Sequence, residues 1–524
     1  MRMIKLLTKL SFAIFCFVLV GVLYIFIYNL YERSHSSFEE EGKNQVGQFL
    51  HATDRCQRSA LFHTGETLKV WDSPWYPTVT PNESYDSGRS HVFPFACSLE
   101  EIAQGQPLEL MTRVMSGFPG IYNVVTRNPD ELFLYGGTQS SEGCTDENEN
   151  KKLCSFGPYV AKINAHTLKE EWRTLLHNTK AASEWDYPGA IGVHGNGKVY
   201  VVAGYQAYQI DPKTGEIEQR VKLPTAIDRT AGDTTYNGFS LLSDGNLVAK
   251  SLTRTKGSKR DSIQALLLDF DVQVPSQLVV LSPDLKIISV TPFDEPVLGR
   301  ITNGHFDGYE YIYASGKQHL LRFTYLNGKV KLDSSWGPIN YLHEDEKPAT
   351  APAMVGDFVL AQSNFQFAPG PLSLTAVSQK DSKQIFRMEP FLEQRLFPGS
   401  MQWSLPAVDL ANRRVYSADV LEGKLAAIDF DPIKGFSIAW SKSQSALGFS
   451  ALIGTPQQRE IILEDGYFPS LNKTRLIWRD AKTGQEKLRS PSLHQGIGLP
   501  ITPGFNGIIY YPSHAGYLYE LRLR

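Results

Sequence analysis

Apolar and polar positions alternate in short runs along most of the chain, and the runs recur. From Ser404 to Trp440 the sequence reads "SLPAVDLANRRVYSADVLEGKLAAIDFDPIKGFSIAW". An alternating segment from Leu405 to Asp409 passes through Asn412 into "RVYSA". Glu422-Gly423 then leads to "LAAID", and Asp431-Pro432 with Gly435 introduces "SIAW". Period-two runs punctuated by Gly, Asn, Asp and Pro predict the four strands of an antiparallel meander. Such a sheet has two apolar faces and needs a sheet of its own kind on each side.

The rest of the chain supplies those neighbours. Comparable second strands begin near Glu131, Lys198, Asn246, Glu310, Asp357, Arg414, Glu460 and Gly507, eight units at a mean pitch of about 54 residues. That pitch is near the range of four-stranded propeller blades. The last unit, "GLPITPGFNGIIYYPSHAGYLYELRLR", stops after three strands, whereas Pro107 to Gly117, "PLELMTRVMSG", alternates without a unit of its own. Pairing the two closes a ring and leaves no open end. The expectation is an all-β, eight-bladed β-propeller over residues 107–524. Seven blades is the alternative, because the third and fifth units are the least regular.

A different pattern precedes the repeats. Residues 10–28, "LSFAIFCFVLVGVLYIFIY", carry no charge and are long enough to cross a bilayer as a helix, which takes roughly 20 residues. Arg2, Lys5 and Lys9 precede this run, and Glu32 and Glu39 to Glu41 follow it. The positive-inside rule therefore puts residues 1–9 in the cytoplasm and the remainder on the extracytoplasmic side, periplasmic or lumenal. The run is longer than a signal-peptide core and no small-x-small site follows it, so a single uncleaved transmembrane signal anchor is expected. Residues 29–55 are polar and read as a stalk. Residues 56–106 are aromatic and proline-rich without a period, and read as a collar packed on the propeller.

Composition changes this picture little. Formal net charge is -3, which gives no basic footprint for a nucleic acid. Gly 42, Pro 30 and 11% aromatic residues suit a chain dense in turns. Cysteines say more: Cys16 lies in the apolar run, and Cys56, Cys97, Cys144 and Cys154 form an even set on the exported side. Cys144 and Cys154 flank a polar insertion and are expected to pair, which leaves Cys56 for Cys97. No spacing is C-x2-C, so zinc is not indicated. Asn82-Glu83-Ser84 and Asn472-Lys473-Thr474 are glycosylation sequons, meaningful in a eukaryotic secretory pathway.

One blade motif carries a family resemblance. Asp211-Pro212-Lys213-Thr214-Gly215 and Asp480-Ala481-Lys482-Thr483-Gly484 are clean copies, Asn164 to Leu168 followed by Trp172 is a degraded one, and the Ser404 to Trp440 unit keeps Asp429, Gly435 and Trp440. Over roughly residues 107–524 the chain resembles the quinoprotein-like β-propellers, the eight-bladed superfamily typified by pyrroloquinoline-quinone alcohol dehydrogenases and including non-catalytic members. The motif's roles are structural: Asp caps a tight turn, Gly takes positive φ, and Trp wedges between sheets. The dehydrogenases' adjacent cysteines are absent from this sequence, and no carboxylate and amide cluster nominates their calcium site. The resemblance thus implies the fold and leaves cofactor and metal unknown.

In a propeller the beginnings of the innermost strands and the loops joining second to third strands gather at one face of the channel, the default place for a ligand. There the sequence places Asp186, Tyr187, Tyr236, Asn237, Arg300 and Trp403, with His494, Lys250, Arg254, Asp465 and His514. One reading is a pocket in which Asp186 or His494 is a general base and Arg300 or Lys250 holds an anionic group. The other reading spends the same residues on ion pairs and turn caps between blades. No G-x-S-x-G, P-loop or H-E-x-x-H occurs. The function expected is a membrane-anchored propeller that binds a small-molecule ligand or a protein partner at its channel face. The alternative is an enzyme at the channel mouth: a quinone-dependent oxidoreductase, or a metal-assisted lactonase or isomerase.

Overall fold

The computed structural model describes residues 73–523 except 104–107, 138–143, 146–150, 153–156, 177–188, 227–232, 255–273, 349–350, 365–367, 393–397, 403, 447, 467–472, 497–499 and 514. The chain divides at His51 into two units, and every described residue belongs to the second. The expected membrane span, 10–28, lies outside the described residues; among them no helix is long and apolar enough to cross a membrane.

Eight four-stranded antiparallel units follow one another, with innermost strands at Asn123–Thr126, Ala190–Val193, Thr234–Leu241, Val297–Phe306, Ala353–Val355, Ala407–Asp409, Ala451–Ile453 and Thr502–Pro503. They are blades 1 to 8. Second strands start within two residues of the eight positions read from the repeat. The outer strand of blade 8 is Leu110–Met115, which pairs antiparallel with Leu518–Leu523 from Leu110 opposite Leu523 to Met115 opposite Leu518. Ring closure therefore joins the two ends of the propeller, as the unpaired alternating segment predicts, and the count is eight.

What holds the ring is apolar packing between blades. Each of the eight interfaces has its own buried cluster, because period-two strands put apolar side chains on both faces. The motif turns add register. Asp211 accepts hydrogen bonds from the Lys213 and Thr214 amides at 2.8 and 2.9 Å, Gly215 takes φ 76°, and a Cβ there would strike Trp172 of blade 1. Asp480, Gly484 and Trp440 repeat the arrangement between blades 7 and 6, with the Trp440 indole donating to the Ala481 carbonyl at 3.1 Å. One assignment changes. In blade 6 the turn is capped by Asp431, bonded to the Ile433 and Lys434 amides at 2.8 Å, whereas Asp429 pairs with Arg414 at 2.7 Å. Asp431 and Gly435 have the spacing of Asp211 and Gly215, so the correct pair was legible.

Within the 56–106 segment, residues 74–96 run inside the central channel. The Pro74 carbonyl accepts from Gly195 and the Ala96 carbonyl from Gly454, each just beyond an innermost strand, so the segment enters and leaves by the face where those strands end. In between it touches every blade. Carbonyls of Thr80, Pro81, Ser87, Gly88, Ser90 and His91 accept from Thr126, Val193, Asn303, Met354, Val408 and Leu452, in blades 1, 2, 4, 5, 6 and 7. The Thr80 and Ser87 hydroxyls donate to the carbonyls of Pro503 in blade 8 and Leu241 in blade 3. Val92–Phe93 adds a parallel strand beside Ala451–Ile453. Inner-strand backbone that would otherwise be left unpaired in the channel is thereby satisfied from within the chain.

Candidate functional site

Two irregularities position the hub. The innermost strand of blade 3 bulges at Asn237-Gly238, between the pairs Tyr236↔Ser251 and Phe239↔Ala249. That of blade 4 bulges between Val297 and Ile301. Bulges re-aim side chains, and here three of the predicted residues converge. The Lys250 ammonium donates to the Val297 carbonyl at 2.7 Å and the Asn237 amide donates to the Leu298 carbonyl at 3.0 Å. These bonds fix the segment that carries Arg300.

Arg300 is 8% exposed and reaches across the channel. It donates to the Tyr122 hydroxyl and to the Gly189 carbonyl, both at 2.9 Å, at the start of blades 1 and 2. Its charge meets Glu83 of the channel segment. Glu83 Oε1 also accepts from Arg89 at 2.9 Å, and Arg89 donates to the Ile301 carbonyl at 2.7 Å. Burial opposes ionisation of Glu83, but the flanking Arg300 and Arg89 charges outweigh it and hold the carboxyl below its ordinary range. Burial, followed by the Arg300 charge, lowers the Lys250 pKa well below the usual amine value.

The cavity beside this cluster is lined by Asn82, Glu83, Asp86, Arg89 and neighbours and measures about 10 Å³, room for about one water molecule. It does not fit a quinone, and among the described residues no group of three His, Cys, Asp or Glu side chains could hold a metal. The geometry can bind a carboxylate firmly. No base, nucleophile and open space converge in it.

Other predicted residues lie apart. Tyr236 is buried toward blade 2, donating to the Pro224 carbonyl at 2.6 Å and accepting from Gln277. Arg254 pairs with Asp233 at 3.0 Å. Asp465 accepts from the Ser445 amide at 3.0 Å, its pKa raised by burial. His494 stacks on Tyr517, with Nδ1 2.5 Å from the Tyr519 hydroxyl. It belongs to a short strand paired with the third strand of blade 7. Asp186, Tyr187, Trp403 and His514 lie outside the described residues. Cys97 is buried and disulfide-bonded; the sulfurs of Cys56, Cys144 and Cys154 lie outside the described residues. In the first sequon, Asn82 is 6% exposed and bonds to Tyr85 and Ser84.

The sequence reading missed three charged residues. Glu83 and Arg89 sit in "PNESYDSGRSH", which has the composition of a surface loop. Glu464, fully buried, is the last residue but one of the second strand of blade 7. Its carboxyl is 2.5 Å from the Tyr511 hydroxyl and accepts from the Gly448 amide at 3.2 Å, and burial pushes its pKa up to about 8. A usable signal was the pair of glycines opposite it: a Cβ at Gly448 would strike the Glu464 carboxyl, and one at Gly496 would strike the Pro512 carbonyl and the Tyr511 hydroxyl.

No family model matches the chain, and no curated protein matches it. Among solved structures it is similar to a quinohemoprotein alcohol dehydrogenase from Comamonas testosteroni, at 12% identity and TM-score 0.44 over 90% of this chain and 84% of that one. It is also similar to apo AztD from Citrobacter koseri, at 12% identity and TM-score 0.40 over 75% and 96%. A third is a putative 6-phosphogluconolactonase from Bacteroides fragilis, at 14% and 0.40 over 71% and 96%. The eight-bladed ring and its turn motif are those expected of a quinoprotein-like propeller; the likenesses carry no chemistry to this chain.

Proposed function

We propose that the protein is a membrane-anchored, extracytoplasmic β-propeller that binds a partner at the face where its innermost strands begin. The observation that carries this reading is the channel segment: residues 74–96 bond to all eight blades and leave beside Glu83 a cavity of about 10 Å³. A propeller braced at its hub by its own chain offers a rigid rim of loops on which a protein partner can dock. Anchoring by residues 10–28, with the body outside the cytoplasm, rests on the hydropathy and charge pattern, and on that side Cys56–Cys97 and Cys144–Cys154 are the proposed disulfides.

The test uses the full chain purified from membranes. Cross-linking from a cysteine introduced on the rim, for example at the exposed Gln318, is expected to capture one partner in stoichiometric yield. Cysteines on the outer strand Ile287–Phe293 are expected to capture none. Stoichiometric bound metal, or a quinone absorption band, would overturn the reading in favour of an enzyme. Alkaline extraction and non-reducing peptide maps check the anchor and the disulfides.

A further inference from the structure

Arg300 is held by several groups besides Glu83. Its guanidinium is held by Tyr122 and Gly189 of two other blades, its ring-facing side lies over Tyr122 at 5.2 Å, and its own segment is tied down by Lys250 and Asn237. All of these groups belong to the propeller wall. An arginine fixed in this way on a low-dielectric wall is a preorganised receptor for a carboxylate.

The group that fills it fits imperfectly. Glu83 Oε1 takes both Arg300 and Arg89, while its Oε2 is buried with no hydrogen-bond partner. An arginine fork binds best when both carboxylate oxygens are used, and an orphaned buried oxygen costs stability. The backbone that delivers Glu83 is also strained. Tyr85, Arg89 and His91 have φ of 74°, 57° and 58°, a left-handed conformation unfavourable for such side chains that persists when the surroundings impose it, often at ligand clamps and switch regions. His91 is itself buried and stacks on Phe449.

We infer that the hub of the propeller is a binding site for a carboxylate-bearing ligand, occupied in this structure by the chain's own Glu83. The ligand is anionic and presents its carboxylate to Arg300 from inside the channel, and the channel segment stands in its place. The occupant uses one of its two carboxylate oxygens on the arginine and leaves the other unmatched. This inference does not depend on a partner at the rim, and neither test reports on the other.

The experiment vacates the receptor and refills it with acetate. In the full-length chain, Glu83→Ala removes the carboxylate, and thermal unfolding is followed against sodium acetate with sodium chloride at equal ionic strength as reference. Expected is a saturable rise in midpoint specific to acetate, with half-saturation on the order of 1 mM for so small a ligand. The rise is absent from the wild type, whose site is filled, and from Glu83→Ala with Arg300→Gln. An equal response to chloride, or an equal response of the double variant, overturns the proposal. Should Glu83→Ala fail to fold in chloride, recovery of folded protein is measured instead: dependence on acetate supports the receptor, and failure at every acetate concentration overturns it.

Discussion

Replacing Glu464 by Gln is expected to stabilise the propeller at neutral pH. The carboxyl is completely buried, its partners are the Tyr511 hydroxyl at 2.5 Å and the Gly448 amide at 3.2 Å, and among the described residues no cation faces it. The phenol in turn accepts from the Gly496 amide at 2.7 Å. Burial raises the folded pKa to about 8 from an ordinary 4.5, so the native protein keeps a neutral acid where the unfolded chain has ionised. An acid with a raised folded pKa contributes its full stability below pH 4.5. That contribution falls as pH rises and is lost by the time pH passes about 8. At about 1.36 kcal/mol per pH unit, the loss is about 3 kcal/mol at pH 7 and about 5 kcal/mol above pH 8.

Glutamine reproduces the neutral acid: its amide donates to Tyr511 and its carbonyl accepts from Gly448. The variant should match the wild type near pH 4 and exceed it by about 3 kcal/mol at pH 7. For a unit of this size that is a midpoint about 3 °C higher, since about 1 kcal/mol moves it by about 1 °C. Scanning calorimetry of both proteins from pH 4 to 9 reads the difference directly. If Glu464 were instead ionised and accepting the Tyr511 proton, glutamine would forfeit a charge-assisted bond and be less stable at pH 7 by about 1.5–3 kcal/mol. The opposite sign at neutral pH would refute the reasoning.

Arg300→Met should cost about 3–5 kcal/mol at pH 7, because Glu83 stays buried and loses one of its two arginine partners, keeping Arg89. Glu83 has a depressed folded pKa, so its pairing stabilises above pH 4.5 and is lost as pH falls through the folded value; urea unfolding should show the penalty shrinking in that acid range. Trp440→Ala empties the contact with Gly484 and removes the bond to Ala481. A loss of about 3–5 kcal/mol is expected from denaturation curves, with exchange of blade 6 and blade 7 amides accelerated first.

The ring was legible because its determinants are local. Alternation, turn glycines and a repeat period are properties of neighbouring residues, and each blade states them again. The closing strand could be found the same way: Leu110–Met115 alternates without a partner, and the last unit lacks one. Even the misassigned Asp429 failed by two residues within a motif whose other positions were right. Arg300, Asn237 and Lys250 were legible as candidates because large polar residues stand out among the small ones at innermost-strand starts.

What could not be read was the residue opposite each of them. Glu83 lies 217 positions before Arg300 by subtraction, in a polar stretch that hydropathy assigns to solvent. Nothing local distinguishes a loop dissolved in water from one dissolved in the polar hub of a propeller, because both satisfy their backbone without a strand partner. The distinction is made by the wall. Innermost strands of eight blades leave their channel-side amides unpaired, so the fold itself demands either water or a polar segment there. Once a closed ring is predicted, a polar, glycine- and serine-rich segment outside the repeat is a candidate occupant, and Glu83, the acid that faces a buried arginine, marks where occupant and wall exchange charge. Read this way, Asn82 to His91 contains the half of the candidate site that the blades alone could not supply.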